Sequence, residues 1–165
     1  RNIWHHYPDG FDRFRSLVQS TWPGMDIGSP EVDRTHDKAL LRMFCLEERI
    51  SREIFWSGFG FQVWCQLLTY IVSGRSSTLF MIDEPDIYLH ADLQRRLLGI
   101  LKGLGPDILI ATHSSELIGA ADPHDLVVID KRSASGKRIR DRGELRHVFH
   151  APGSELNPVP TRTPL

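Results

Sequence analysis

Apolar positions along this chain fall either at helical spacing or in short continuous runs, and the switches between the two mark out the elements. From Asp9 to Trp22, the residues Phe11, Phe14, Val18 and Trp22 fall on one face of a helix that Pro23 ends. Residues 1–8 are aromatic and histidine-rich without a period, and residues 25–35, rich in Gly, Pro and Asp, read as a connection. The apolar run from Leu40 to Leu46, bounded by charge, reads as one strand. Phe61, Trp64, Cys65, Leu68, Ile71 and Val72 repeat at helical spacing, and Gly74 supplies the stop.

The second half alternates more regularly. A strand over Thr78–Ile82 precedes a helix from about His90 to Leu104, whose buried face is Leu93, Leu97, Ile100, Leu101 and Leu104 and which Gly105-Pro106 ends. A strand over Ile108–Ala111, a short helix from Ser115 to Ala120 and an apolar strand from Asp125 to Asp130 follow. Strand–helix–strand–helix–strand implies right-handed parallel crossovers, hence an α/β fold: three layers, with a mainly parallel sheet flanked by helices. Lys131–Arg142 is basic around Ser133-Ala134-Ser135-Gly136, a hairpin turn, and the Pro-, Ser- and Thr-rich residues 151–165 read as a loosely ordered tail. The expected division is an N-terminal helical segment and linker over 1–35, a core over 36–132, and a basic hairpin with tail over 133–165.

Composition narrows the class without naming a partner. The chain has 165 residues, enough for one domain with a sizeable core, and it is 41% hydrophobic with a formal net charge of −1. Any contact with nucleic acid must therefore be local rather than driven by overall charge. Cys45 and Cys65 lie in apolar stretches without CxxC spacing, as reduced core residues of a cytoplasmic protein do. No stretch is long and apolar enough to span a bilayer, no signal peptide is visible, and the opening Arg1 in place of Met suggests a fragment or a processed product.

Chemistry concentrates at two strand ends. Leu79-Phe80-Met81-Ile82 runs straight into Asp83-Glu84-Pro85, a pattern expected of a strand buried on both faces. Ligands of open parallel sheets sit beyond the carboxyl ends of such strands. There Asp83 suits a hydrated metal ion, and Glu84 suits a base that polarises an attacking nucleophile. The next strand ends in Thr112-His113-Ser114, so neighbouring strands put His113 in the same crevice, with Ser114 as an N-cap. Ser57-Gly58 precedes a strongly amphipathic helix, where backbone N–H groups can face an anion. Each feature has a plainer reading: an acidic turn, a capping histidine, a Gly-containing turn.

Together the three elements resemble the C-terminal half of an ABC-type ATPase. Ser57-Gly58-Phe59-Gly60-Phe61-Gln62 matches its signature loop in degenerate form, with Phe59 at the usual second glycine. Leu79–Glu84 matches Walker B, and Ala111-Thr112-His113-Ser114 matches the switch histidine. Asp83-Glu84-Pro85-Asp86-Ile87-Tyr88-Leu89-His90, followed by Gln94, is similar to the branch holding the overcoming-lysogenization-defect (OLD) nucleases and RecF-like repair ATPases. The resemblance implies ATP and Mg²⁺ as cofactors, with Asp83 on the metal, Glu84 as catalytic base and His113 sensing the γ-phosphate. It further implies that Ser57 and Gly58 touch nucleotide on a second copy in a head-to-tail dimer, whose interface the loop from Tyr88 to Asp92 lines. The setting it implies is a bacterial DNA-repair or phage-defence system, with DNA as a candidate partner and no membrane.

One departure bears on activity. No Gly-x-x-x-x-Gly-Lys-Ser/Thr occurs, so the chain lacks a cradle for the α- and β-phosphates. The expectation is that the chain alone does not hydrolyse ATP and that a Walker A lobe lies upstream in a parent protein or on another chain. Residues 151–158 resemble the segment that precedes a Toprim nuclease domain in some of these ATPases, but no Toprim acidic cluster is present. Two alternatives remain: a non-catalytic dimerisation or scaffold module of the same fold, and a fragment of a transporter ATPase, against which Leu89-His90 argues. Lys131, Arg132, Lys137, Arg138, Arg140 and Arg142 read as a solvated hairpin. His5-His6 and His147/His150 lack a ligand set for zinc, and Trp22, Trp56 and Trp64 read as core.

Overall fold

The computed structural model describes residues 1–35, 38–74, 76–130 and 134–145. They form two compact units, Arg1–Thr78 and a second beginning at Leu79. The basic residues Lys131 and Arg132, the expected turn residue Ser133, His147, His150 and the 151–165 tail lie outside the described residues.

The first unit is built on three helices and short antiparallel strands. α1 (Asn2–His6) arises where the sequence shows no period, and it carries one buried anchor, Trp4. α2 (Phe11–Thr21) and α3 (Phe59–Ser73) follow the expected periods, and α3 ends at Gly74. Phe14, Val18, Trp64 and Leu68 are fully buried, and Trp4 stacks on Phe14 with ring centroids 5.0 Å apart. Buried indoles need partners for their N–H groups. Trp64 Nε1 donates to Thr21 Oγ1 at 2.8 Å and Trp4 Nε1 to Thr69 Oγ1 at 3.1 Å. Gly10 is fixed by this packing, because a Cβ there would lie 3.0 Å from Val72 Cγ1 and 3.1 Å from the Trp4 ring.

Residues 25–35 are more than a connection. They contain β1 (Met25–Ile27) and β2 (Glu31–Asp33), three residues each and too short to show a period. The apolar run at 40–46 is two strands, β3 (Leu40–Arg42) and β4 (Phe44–Glu47). The break falls at buried Met43, whose carbonyl accepts from Ile54 N, so the two strands can take different partners. β3 pairs with β2, while β4 lies between β1 and β5 (Ile50–Glu53). Glu48 and Arg49, both at positive φ (47° and 73°), make the two-residue turn between β4 and β5.

The second unit carries the α/β alternation. β6 (Leu79–Asp83) and β7 (Asp107–Ala111) pair in parallel, Leu79 opposite Asp107 and Asp83 opposite Ala111. Between them runs α4 (Ala91–Lys102), which buries Leu93, Gln94, Leu97 and Leu101 and stops at Gly103 rather than Gly105. α5 (Ser115–Ala120) packs against α4, and β8 (Val127–Asp130) pairs antiparallel with β9 (Ser135–Arg138) in a separate hairpin rather than continuing the β6–β7 ladder. Ala134, at positive φ (47°), precedes β9 in the turn expected there.

β6 is not buried on both faces. Phe80 and Ile82 are half-buried, but Leu79 and Met81 on the alternate face are 48% and 72% exposed. The period-2 pleat sends neighbouring side chains to opposite sides, and only one side is covered.

Candidate functional site

The site grows from the way β6 ends. Asp83 is its last residue, with an exposed side chain on the Leu79/Met81 face. Glu84 then takes a left-handed backbone (φ 44°) while its N–H still donates to Ala111 O at 2.8 Å. The ladder to β7 therefore runs one residue beyond the strand, and the turn in the backbone brings the Glu84 side chain toward the end of β7. Pro85 is buried, and Tyr88 is a second left-handed residue (φ 64°) before buried Leu89 anchors the segment.

β7 delivers the partner. His113 Nε2 lies 3.2 Å from Glu84 Oε1, and His113 N–H points at Glu84 Oε2 at 3.4 Å. Of the predicted residues, the structure thus brings Glu84 and His113 together at the carboxyl ends of adjacent parallel strands, with Asp83 next to Glu84 in the chain. Ser114 caps α5 as expected, its Oγ accepting from Leu117 N at 3.3 Å.

Ser57 and Gly58 belong to the first unit. Ser57 Oγ donates to Ile54 O at 2.6 Å, and Gly58 is the N-cap of α3 without a side-chain cap. The Gln62 carboxamide braces the loop, donating to Phe55 O at 3.1 Å and Ser57 O at 2.9 Å. Trp56, expected in the core, is 74% exposed, because the 3-10 turn at Ile54–Trp56 carries it outward with its neighbour Phe55. Trp64 is buried as expected, and half-buried Trp22 meets Phe61 edge-on.

Among the described residues no three His, Cys, Asp or Glu side chains gather as a metal cage. Magnesium usually takes only one or two carboxylates and fills its other positions with phosphate oxygens and water. A single exposed Asp83 therefore suits magnesium that arrives with a nucleotide.

Gln94 counts in the sequence only as part of the stretch that carries the resemblance, with no role of its own. It is buried on α4 between Leu93 and Leu97, and its two polar ends reach Leu89 and Ser114. The available signal was a carboxamide interrupting an apolar stripe.

Comparison with known proteins places this geometry in context. Residues 7–119 match a family model described as "AAA domain, putative AbiEii toxin, Type IV TA system". UvrABC system protein A of Xylella fastidiosa (strain Temecula1) is 32% identical over 92 residues, covering 54% of this chain and 9% of that protein. The Old nuclease of Escherichia phage P2 is 28% identical over 120 residues, covering 64% of this chain and 20% of that protein. The chain thus spans only a small part of the length of these relatives. A solved chain from work on ATP-driven dimerization and DNA-stimulated activation of SMC ATPases superposes with a TM-score of 0.70 over 88% of this chain and 92% of that one, at 11% identity. The Smc head bound to the C-terminal winged-helix domain of ScpA gives 0.62 over 84% of this chain and 44% of that one, at 16% identity. These structural likenesses are of fold. Among the described residues no helix is long and apolar enough to cross a membrane.

Proposed function

The chain belongs to the AAA-domain family whose model it matches, and from that membership we propose that it is the C-terminal portion of an ATP-hydrolysing ABC-type ATPase. In this reading Leu79–Glu84 is the Walker B strand, His113 the switch histidine and Ser57-Gly58 the degenerate signature. The observation that carries it is the Glu84–His113 pair at the ends of two adjacent parallel strands. Phosphoryl transfer depends mostly on positioning and charge stabilisation, and a carboxylate and an imidazole within hydrogen-bond reach can hold an attacking water and the phosphate it attacks.

Each residue then has a role. Glu84 polarises the water, with its carboxylate held by the backbone N–H of His113. His113 exchanges Glu84 for a γ-phosphate oxygen when nucleotide is present. Asp83 holds magnesium, which would neutralise charge on the phosphates. Ser57 and Gly58 approach nucleotide on a second copy of the ATPase. The phosphate cradle comes from a Walker A lobe upstream in the parent protein or on another chain. The UvrA and Old nuclease relatives support a DNA-repair or phage-defence setting, with DNA as a candidate ligand. The absent Gly-x-x-x-x-Gly-Lys-Ser/Thr favours a second reading, in which the same fold serves dimerisation without turnover.

Two assays decide between these. With Mg-ATP the isolated chain should show no turnover, whereas the parent protein should associate on ATP addition and hydrolyse it, with hydrolysis lost in Glu84→Gln. Robust turnover by the isolated chain, abolished by Glu84→Gln, overturns the split-site part of the proposal. A full-length parent that neither hydrolyses ATP nor associates in its presence overturns the ATPase reading and leaves the scaffold.

A further inference from the structure

The Glu84–His113 contact is not held by burial, since the His113 side chain is 79% exposed. Something else must fix the two loops that carry the pair. The segment after Glu84 contributes Asp86 and the carbonyl of Leu89; the segment after β7 contributes Thr112 and Ser114, one on each side of His113. Thr112 Oγ1 donates to Asp86 Oδ1 at 2.6 Å and accepts from Ser114 N at 3.0 Å. Ser114 Oγ donates to Gln94 Oε1 at 2.5 Å, and Gln94 Nε2 donates to Leu89 O at 2.8 Å. The bonds run from one loop to the other and back, and the link that joins Ser114 to Leu89 is Gln94.

Gln94 is poorly suited to its place on other grounds. It is 9% exposed on the apolar stripe of α4, and a buried carboxamide lowers stability unless its donors and acceptor are matched. Both of its ends are matched by the two loops that hold the hydrolytic pair. A leucine would fill the same stripe and join neither loop. Satisfied buried networks of this kind specify one arrangement of the groups they join.

We infer that Gln94 is a positioning residue, one that sets the spacing of Glu84 and His113 by clasping the loop after β6 to the loop after β7. The inference rests on reading those two residues as the hydrolytic pair. Gln94 touches neither of them and acts through Leu89, Ser114, Thr112 and Asp86.

The test is nuclear magnetic resonance of the full 165-residue chain labelled with ¹⁵N-histidine, read at the His113 imidazole at one fixed pH. Glu84→Gln supplies the reference shift for a broken pair. Gln94→Met keeps the volume and removes both bonds, and it should move the His113 signal by more than half of the reference shift. Thr112→Val removes the Asp86 link at constant shape and should move it in the same direction; it carries the test alone if Gln94→Met does not fold. Leu101→Ala, which destabilises α4 two turns beyond Gln94, should leave the signal unmoved. If Gln94→Met and Thr112→Val leave His113 at its wild-type position while Glu84→Gln moves it, the clasp has no positioning role. If Glu84→Gln itself leaves the signal in place, the pair does not form, and the reading of the site falls first.

Discussion

His113 meets Glu84 with two groups, its ring Nε2 at 3.2 Å from one carboxylate oxygen and its backbone N–H at 3.4 Å from the other. Because Glu84 N–H also bonds to Ala111 O, the residue is tied to β7 at its backbone as well as through its side chain. The imidazole adds little to that tie, since it stands in water where such contacts are weak. Replacing His113 by Ala should therefore change unfolding free energy by no more than about 0.5 kcal/mol in urea titration. In an assembly that turns over ATP, the same change should cut steady-state hydrolysis by about a hundredfold or more.

Glu84 sits at φ 44°, a backbone that side chains with a Cβ rarely adopt. Strain of this kind gathers where a chain holds a functional side chain in a set direction. Glycine would relieve it, reversing the usual order in which alanine is the more stable substitute. Glu84→Gly is expected to be more stable than Glu84→Ala by about 1 kcal/mol in denaturant titration. Equal stability, or an advantage for alanine, would rule the strain out.

The acid response of the first unit turns on Asp26. Its carboxylate accepts from Arg15 Nε at 2.7 Å and Arg15 Nη2 at 2.5 Å, from Gln19 Nε2 at 2.9 Å and from Ile27 N at 2.7 Å. The Arg15 hydrogen bond, above the other causes, holds its pKa below the ordinary Asp value. A folded pKa below the unfolded one stabilises at pH above the unfolded value, near about 3.9, and that stabilisation is lost as pH falls through the folded value. Asp26→Asn should cost about 1 kcal/mol at neutral pH, a small figure because the pair is partly solvated. The gap between variant and wild type should close as pH falls below the Asp range, as followed by urea midpoints across pH.

Both cysteines should be silent toward thiol reagents in the native chain. Cys45 and Cys65 are free and buried, and burial pushes both thiols up in pKa, Cys65 the further. The thiolate is the reactive form, so modification must wait for opening of the fold. Ellman's reagent at pH 8 should find two thiols in denaturant and react about a hundredfold or more slowly with the native protein. Rapid native modification of either residue would contradict its burial.

How much of this was legible depends on the length over which a pattern repeats. α2, α3 and α4 stand out because several apolar residues keep a helical period, β6 and β7 because each is a continuous apolar run, and the acids and His113 follow from where those strands stop. β1 and β2 are three residues each and owe their existence to partners farther along the chain, β4 and β3. Met43 is apolar like its neighbours, so nothing in its chemistry announces the change of partner between β3 and β4. The left-handed turns at Glu84 and Tyr88 use residues that normally avoid such backbones, and no glycine or asparagine marks them. Gln94 was visible as an exception on an apolar face, but what it joins is settled only when the two loops are folded beside it.

The outward placement of Trp56 gives this chain an optical handle. Of its tryptophans, Trp4 and Trp64 are sealed in the first unit and Trp22 is half-covered, whereas Trp56 stands in solvent one residue before Ser57, with Phe55 and Phe59 also exposed. Iodide or acrylamide will therefore quench mainly the fluorescence of one indole, and that indole borders the segment likened to the signature loop. Anything that seats against Ser57 and Gly58, a second copy included, would shield it. The native protein can report docking at that loop through its own emission, without an attached dye.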